Sequence, residues 1–103
     1  SNVFYFDISG VVRTSALSEN ILPGITRQIL INALEDTPYA VKEGKCKIED
    51  FNNSPCMWLT SSTKGLLPLT NLIGSNYKLH EDYKGFSEIS ELFQSAMQLH
   101  LEA

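Results

Sequence analysis

The chain has 103 residues, 43% of them hydrophobic and 19% charged, with a net charge of −4. That length holds one domain with one core, burying roughly 65% of its unfolded surface, and the composition excludes a disordered or low-complexity chain. The acidic balance excludes a nucleic-acid partner, which demands a basic surface, and no apolar run approaches the roughly 20 residues of a membrane span.

Val3-Phe4-Tyr5-Phe6 is aromatic and β-branched, which predicts a strand through Ile8. Asp7, Ser9 and Gly10 mark a tight turn, and Val11 to Thr14 reads as the returning strand. After a polar loop, Ile21-Leu22-Pro23-Gly24 makes an apolar arrival and a turn. From Ile25 to Asp36 the pattern is helical. Ile25, Ile29 and Ala33 form its apolar stripe with Leu30 and Leu34 beside them, and Arg27, Gln28, Asn32 and Glu35 face elsewhere. Thr37-Pro38 ends it, because the residue before Pro is driven out of the α region.

Tyr39-Ala40-Val41 predicts a short strand, Lys42 to Lys47 a solvated loop, and Ile48 to Asn53 a short helix. The lysines of that loop alternate with acids, so it is no basic patch. Cys56-Met57-Trp58-Leu59 predicts a strand covered on both faces. Leu66 to Ile73 reads as its neighbour, with Pro68 placing it at an edge. A polar loop closed by Gly85 leads to a last helix capped by Ser87. Its apolar side is Ile89, Leu92, Phe93, Ala96, Met97, Leu99 and Leu101, a core stripe. No linker or repeat interrupts the chain, so residues 1–103 form a single mixed α/β unit.

Two stretches carry chemistry. The first-turn N–H groups of a helix lack internal partners, and the macrodipole adds about half a positive charge there. The start at Gly24-Ile25-Thr26-Arg27 is therefore an anion-site candidate, with close backbone approach at Gly24, a hydroxyl from Thr26 and a positive charge from Arg27. A plain Pro-Gly turn with a helix start is the competing reading. Thr60-Ser61-Ser62-Thr63 puts four hydroxyls at the end of the buried strand, before Lys64-Gly65. Alone this is an ordinary turn; together, the two favour a phosphate or carboxylate ligand.

Other chemistry is thin. Cys46 and Cys56 lack metal-ligand spacing, Cys56 sits in an apolar run as a buried thiol, and no metal is expected. This usage fits a reducing compartment, and a cytoplasmic protein is the default. His80 and His100 lie in no nucleophile motif, and Ser61 and Ser62 in no G-x-S-x-G elbow. An imine-forming lysine needs a desolvated pocket. Of the lysines only Lys64 stands near the hydroxyl run, where it reads equally as a turn lysine.

Three stretches together resemble the C-terminal half of the class IV pyridoxal-phosphate enzymes: branched-chain and D-amino-acid aminotransferases and aminodeoxychorismate lyases. Ser1-Asn2-Val3-Phe4 is similar to the family's S-N-x-F, and Leu22 to Arg27 to its L-P-G-I-T-R. Thr60 to Leu69 is similar to its T-S-S-T-x-G-x-x-P-V, with Leu69 in place of Val. Order and spacing agree along nearly the whole chain.

The resemblance implies an α+β C-terminal pseudo-barrel domain, with an N-terminal hairpin and a C-terminal helix, in a longer two-domain homodimeric enzyme. It implies pyridoxal 5'-phosphate as cofactor. Gly24, the amides of Ile25 and Thr26, and the Thr26 and Ser62 hydroxyls would hold its phosphate, and Leu22 would pack on its ring. Ser62 and the backbone at Thr63 would meet the substrate carboxylate. The family's Schiff-base lysine lies a few dozen residues before S-N-x-F, so no catalytic residue is expected in this chain and the piece alone is expected to be inactive. The parent would move an amino group between an amino acid and a 2-oxo acid. The lyase of the same family is the alternative, and Thr63-Lys64-Gly65 favours the transaminase. A non-catalytic binding or assembly module is the alternative from another class. Separation from an N-terminal domain would also leave an apolar face prone to self-association.

Overall fold

The computed structural model describes residues 2–15, 24–61, 64–80 and 83–102. In chain order the elements are β1 (Val3–Phe6), β2 (Val12–Ser15), α1 (Ile25–Leu34), β3 (Lys42–Gly44), α2 (Ile48–Asn52), β4 (Met57–Ser61), β5 (Gly65–Pro68) and α3 (Lys84–Glu102).

The β1–β2 hairpin is closed by one side chain. Asp7 Oδ1 accepts from the Ser9 N–H (2.9 Å), the Ser9 hydroxyl (2.7 Å) and the Val11 N–H (2.9 Å), and Arg13 Nε donates to Oδ2 at 2.6 Å. Gly10 takes the left-handed φ of +88° that the turn requires. β4 joins the free side of β1 antiparallel, with Phe4 opposite Trp58, and β5 follows outside it. The sheet order is β3-β2-β1-β4-β5, with β3 parallel to β2, so the sheet is mixed.

Alternation along the strands builds two apolar layers. One face carries Phe4, Phe6, Val12, Cys56 and Trp58, covered by Leu30 and Leu34 of α1 and by Ile89 and Phe93 of α3. Phe4 and Trp58 stack nearly parallel (5.9 Å, 9°). The other face carries Tyr5 and Met57, covered by Tyr77, Phe51, Leu69 and Leu72. β4 is thus buried on both faces, as its unbroken apolar run predicts.

Four expectations are corrected. Tyr39-Ala40-Val41 is not a strand: the Tyr39 hydroxyl donates to Glu88 and its ring meets Phe6 edge-on, while the strand lies at Lys42–Gly44. The last helix starts at Lys84, not at Ser87, and Gly85 lies inside its first turn. On α1 the buried residues are Thr26, Arg27, Leu30 and Leu34, whereas Ile25 is 71% exposed. On α3 the buried side ends near Met97, leaving Leu99 and Leu101 exposed.

Candidate anion-binding site

The site is built where β1 starts, β4 ends and α1 begins. Asn2 joins them. Its backbone N–H donates to Thr60 Oγ1 at 3.2 Å, and its carbonyl accepts the Thr60 N–H at 3.0 Å. Its side-chain Oδ1 lies 3.4 Å from where a Cβ on Gly24 would stand. The three quoted stretches therefore meet around one residue, although they lie far apart along the chain.

Gly24 is the N-cap of α1, in extended conformation (φ −124°, ψ 146°), and supplies no capping side chain. The first turn carries no acidic residue. Gln28 N–H closes the first helical bond onto the Gly24 carbonyl at 3.1 Å. The amides of Ile25 and Thr26 precede that bond, so the helix itself gives them no acceptor. An uncapped turn with a bare Cα at its head is the donor set that a phosphate monoester fits.

The hydroxyl run is less open than four consecutive hydroxyls suggest. Thr60 is buried and engaged with Asn2. Ser61 Oγ accepts the Lys64 N–H at 3.2 Å. Ser61 pairs with Gly65 across the β4–β5 hairpin, with Gly65 at φ +76°. Leu22, Ser62 and Thr63 lie outside the described residues.

Arg27 does not offer its charge to this end of the helix. It is 2% exposed, and Nη2 donates to the Ser15 carbonyl and to Glu43 Oε1, both at 2.7 Å. Its Nε has no partner among the described residues. Sequence reasoning missed this ion pair, because Glu43 reads there as one charge in a solvated loop.

The profile of the family described as amino-transferase class IV matches residues 1–72. The chain belongs to this family. A Staphylococcus epidermidis protein named "Probable branched-chain-amino-acid aminotransferase" is 43% identical over 53 residues, covering 52% of this chain and 14% of its own. Aminodeoxychorismate lyase of Bacillus subtilis is 30% identical over 77 residues, covering 75% of this chain and 26% of its own. A crystal structure of a Brucella abortus aminotransferase bound to its cofactor PLP superposes over all of this chain and 34% of its own, with a TM-score of 0.75 and 28% identity. The chain thus spans between about a seventh and a third of these relatives.

Within this class IV aminotransferase fold, the remaining reactive groups are placed plainly. All six lysines are solvent-exposed in this chain, Lys64 included. His80 and His100 are exposed. Cys56 is fully buried, and burial pushes its thiol up to about 12. Among the described residues no group of three His, Cys, Asp or Glu could hold a metal, and no helix is long and apolar enough to cross a membrane.

Proposed function

We propose that this chain is the part of a pyridoxal-phosphate-dependent aminotransferase that grips the cofactor phosphate, within the C-terminal domain of a larger dimeric enzyme. One observation supports the reading: Asn2 brings the uncapped start of α1 beside the end of β4, the strand that leads into the hydroxyl run. The amides of Ile25 and Thr26 and the Thr26 hydroxyl would hold the phosphate, with Gly24 leaving the approach open. Ser62 would add a hydroxyl, the backbone at Thr63 would meet the substrate carboxylate, and Leu22 would pack against the ring.

When bound, the cofactor supplies the electron sink for bond cleavage next to the amino group. These residues would orient it and hydrogen-bond its phosphate through amides and hydroxyls. The amine that reacts with it would come from outside these 103 residues. Transfer of an amino group to a 2-oxo acid is the preferred parent activity. The lyase reading has one observation in its favour: the Bacillus subtilis lyase aligns over more of this chain than the Staphylococcus epidermidis relative does.

The test is an amide-shift titration of the labelled chain with pyridoxal 5'-phosphate, inorganic phosphate and pyridoxal. The two phosphates should shift Ile25 and Thr26 and compete with each other, and pyridoxal should not. Equal shifts with pyridoxal, or none with either phosphate, would sink the proposal. Trp58, the single tryptophan and two residues before Thr60, gives an independent fluorescence signal.

A further inference from the structure

The first turn of α1 has no anchor of its own, since Gly24 makes no capping bond. Among the described residues, the side-chain hydrogen bonds that tie this turn to the sheet come from Arg27, the third residue of the helix and part of the same turn as Ile25 and Thr26. The guanidinium is out of solvent and ends on two strands at once: the carbonyl of Ser15, the last residue of β2, and the carboxylate of Glu43 in β3. These strands pair in parallel, with Thr14 opposite Glu43 and Ser15 opposite Gly44, so both acceptors lie at one edge of the sheet. An arginine suits this task, because its planar fork holds two acceptors in fixed directions. Glu43 also balances the charge that a phosphate would otherwise feel from Arg27.

We propose that Arg27 and Glu43 are positioning residues for the anion seat: the buried guanidinium, held between Ser15 and Glu43, fixes where the first turn of α1 stands against the sheet and so where the Ile25 and Thr26 amides point. This rests on the phosphate-grip reading above, and the experiment separates the two.

Two readouts are taken on the chain and on Glu43→Ala, Glu43→Gln and Arg27→Lys: amide hydrogen exchange without ligand, and affinity for inorganic phosphate. Glu43 is 45% exposed, so its truncation opens no cavity in the core, and far-UV circular dichroism checks that each variant is folded. In Glu43→Ala the Gln28 amide, which closes the first turn, should exchange about tenfold faster, with the Leu34 and Trp58 amides unchanged. Phosphate affinity should fall about fivefold, since a slightly misplaced donor set binds poorly. Glu43→Gln keeps an acceptor for Nη2 and should recover most of both losses. Arg27→Lys keeps the charge without the fork and should behave like Glu43→Ala. Uniform acceleration across the helix and the sheet would overturn the proposal, leaving the pair a general stabiliser. A rise in phosphate affinity in Glu43→Ala would also overturn it, because Arg27 would then be a ligand that Glu43 restrains. Should the parent chain bind no phosphate, the grip reading falls, and Gln28 exchange still decides whether Arg27 sets the turn.

Discussion

Gly85 lies directly on the Phe6 ring: a Cβ at Gly85 would stand 2.8 Å from Phe6 Cζ and 3.3 Å from Cε1. The absent side chain lets the first turn of α3 approach β1. Phe6 cannot give way, since Tyr83 (4.7 Å) and Trp58 (5.5 Å) press on its ring. Gly85→Ala should therefore destabilise by about 1–2 kcal/mol, overpacking outweighing alanine's better helix propensity of about 1 kcal/mol. Urea unfolding measures it. A second change, Phe6→Leu, should return part of the loss in the Gly85→Ala background, and a fully additive double mutant would contradict the contact.

Asp7 gives the hairpin an acid-sensitive latch. Burial pushes its carboxyl up, but hydrogen bonds from Arg13, the Ser9 hydroxyl and the Val11 and Ser9 amides outweigh this and draw it from 3.8 to about 2. The folded value lies below the unfolded one. The stabilisation is thus complete above about pH 4 and is lost as pH falls through about 2. Arg13 is partly exposed, so solvent screening discounts the effect to about 1–2 kcal/mol. Urea midpoints between pH 6 and pH 2 should fall further for the parent than for Asp7→Asn. Parallel curves would remove Asp7 from the account.

Tyr77 holds β4 to the segment after β5 through its hydroxyl, which accepts the Met57 N–H at 2.9 Å and donates to the Leu69 carbonyl at 2.7 Å. Tyr77→Phe keeps the ring and orphans a buried amide, a cost of about 1–3 kcal/mol. The Met57 amide should lose exchange protection more than its neighbours do. Unaltered protection at Met57 would show that water replaces the hydroxyl.

How far the sequence foretold this molecule depends on where the ordering forces lie. The β1–β2 hairpin, α2 and β4 follow from local propensity and apolar pattern, so they were readable. β3 was not, because Lys42-Glu43-Gly44 is polar and becomes a strand only by pairing with β2 at the edge. Gly85 reads as a breaker, yet it sits in a helix because Phe6 demands a bare Cα there. Ile25 reads as core, but at the helix start it projects past the layer that Leu30 and Leu34 cover. In the candidate site, the helix start at Gly24-Ile25-Thr26 was readable from its turn chemistry. The meeting of Asn2 with Gly24 and Thr60, and the removal of Arg27 into a buried pair, needed the fold.

Gly24 offers the sharpest test of stability against binding. It is an N-cap without a capping group, in a backbone conformation open to any residue. A carboxylate there would accept from the first-turn amides and meet the positive end of the helix dipole, worth about 0.3–1 kcal/mol. The added Cβ would stand 3.4 Å from Asn2 Oδ1, a contact the neighbour absorbs with a small shift. Gly24→Asp should therefore unfold at an equal or slightly higher urea concentration than the parent. The same carboxylate would occupy the donors and repel a second anion, so phosphate affinity should fall more than about tenfold. Gly24→Asn, nearly isosteric and neutral, should keep the capping gain with a smaller loss of binding. The opposite signs matter, because a generally damaged helix would lose stability and binding together. Full phosphate binding by a stably folded Gly24→Asp would place the anion site somewhere other than the start of α1.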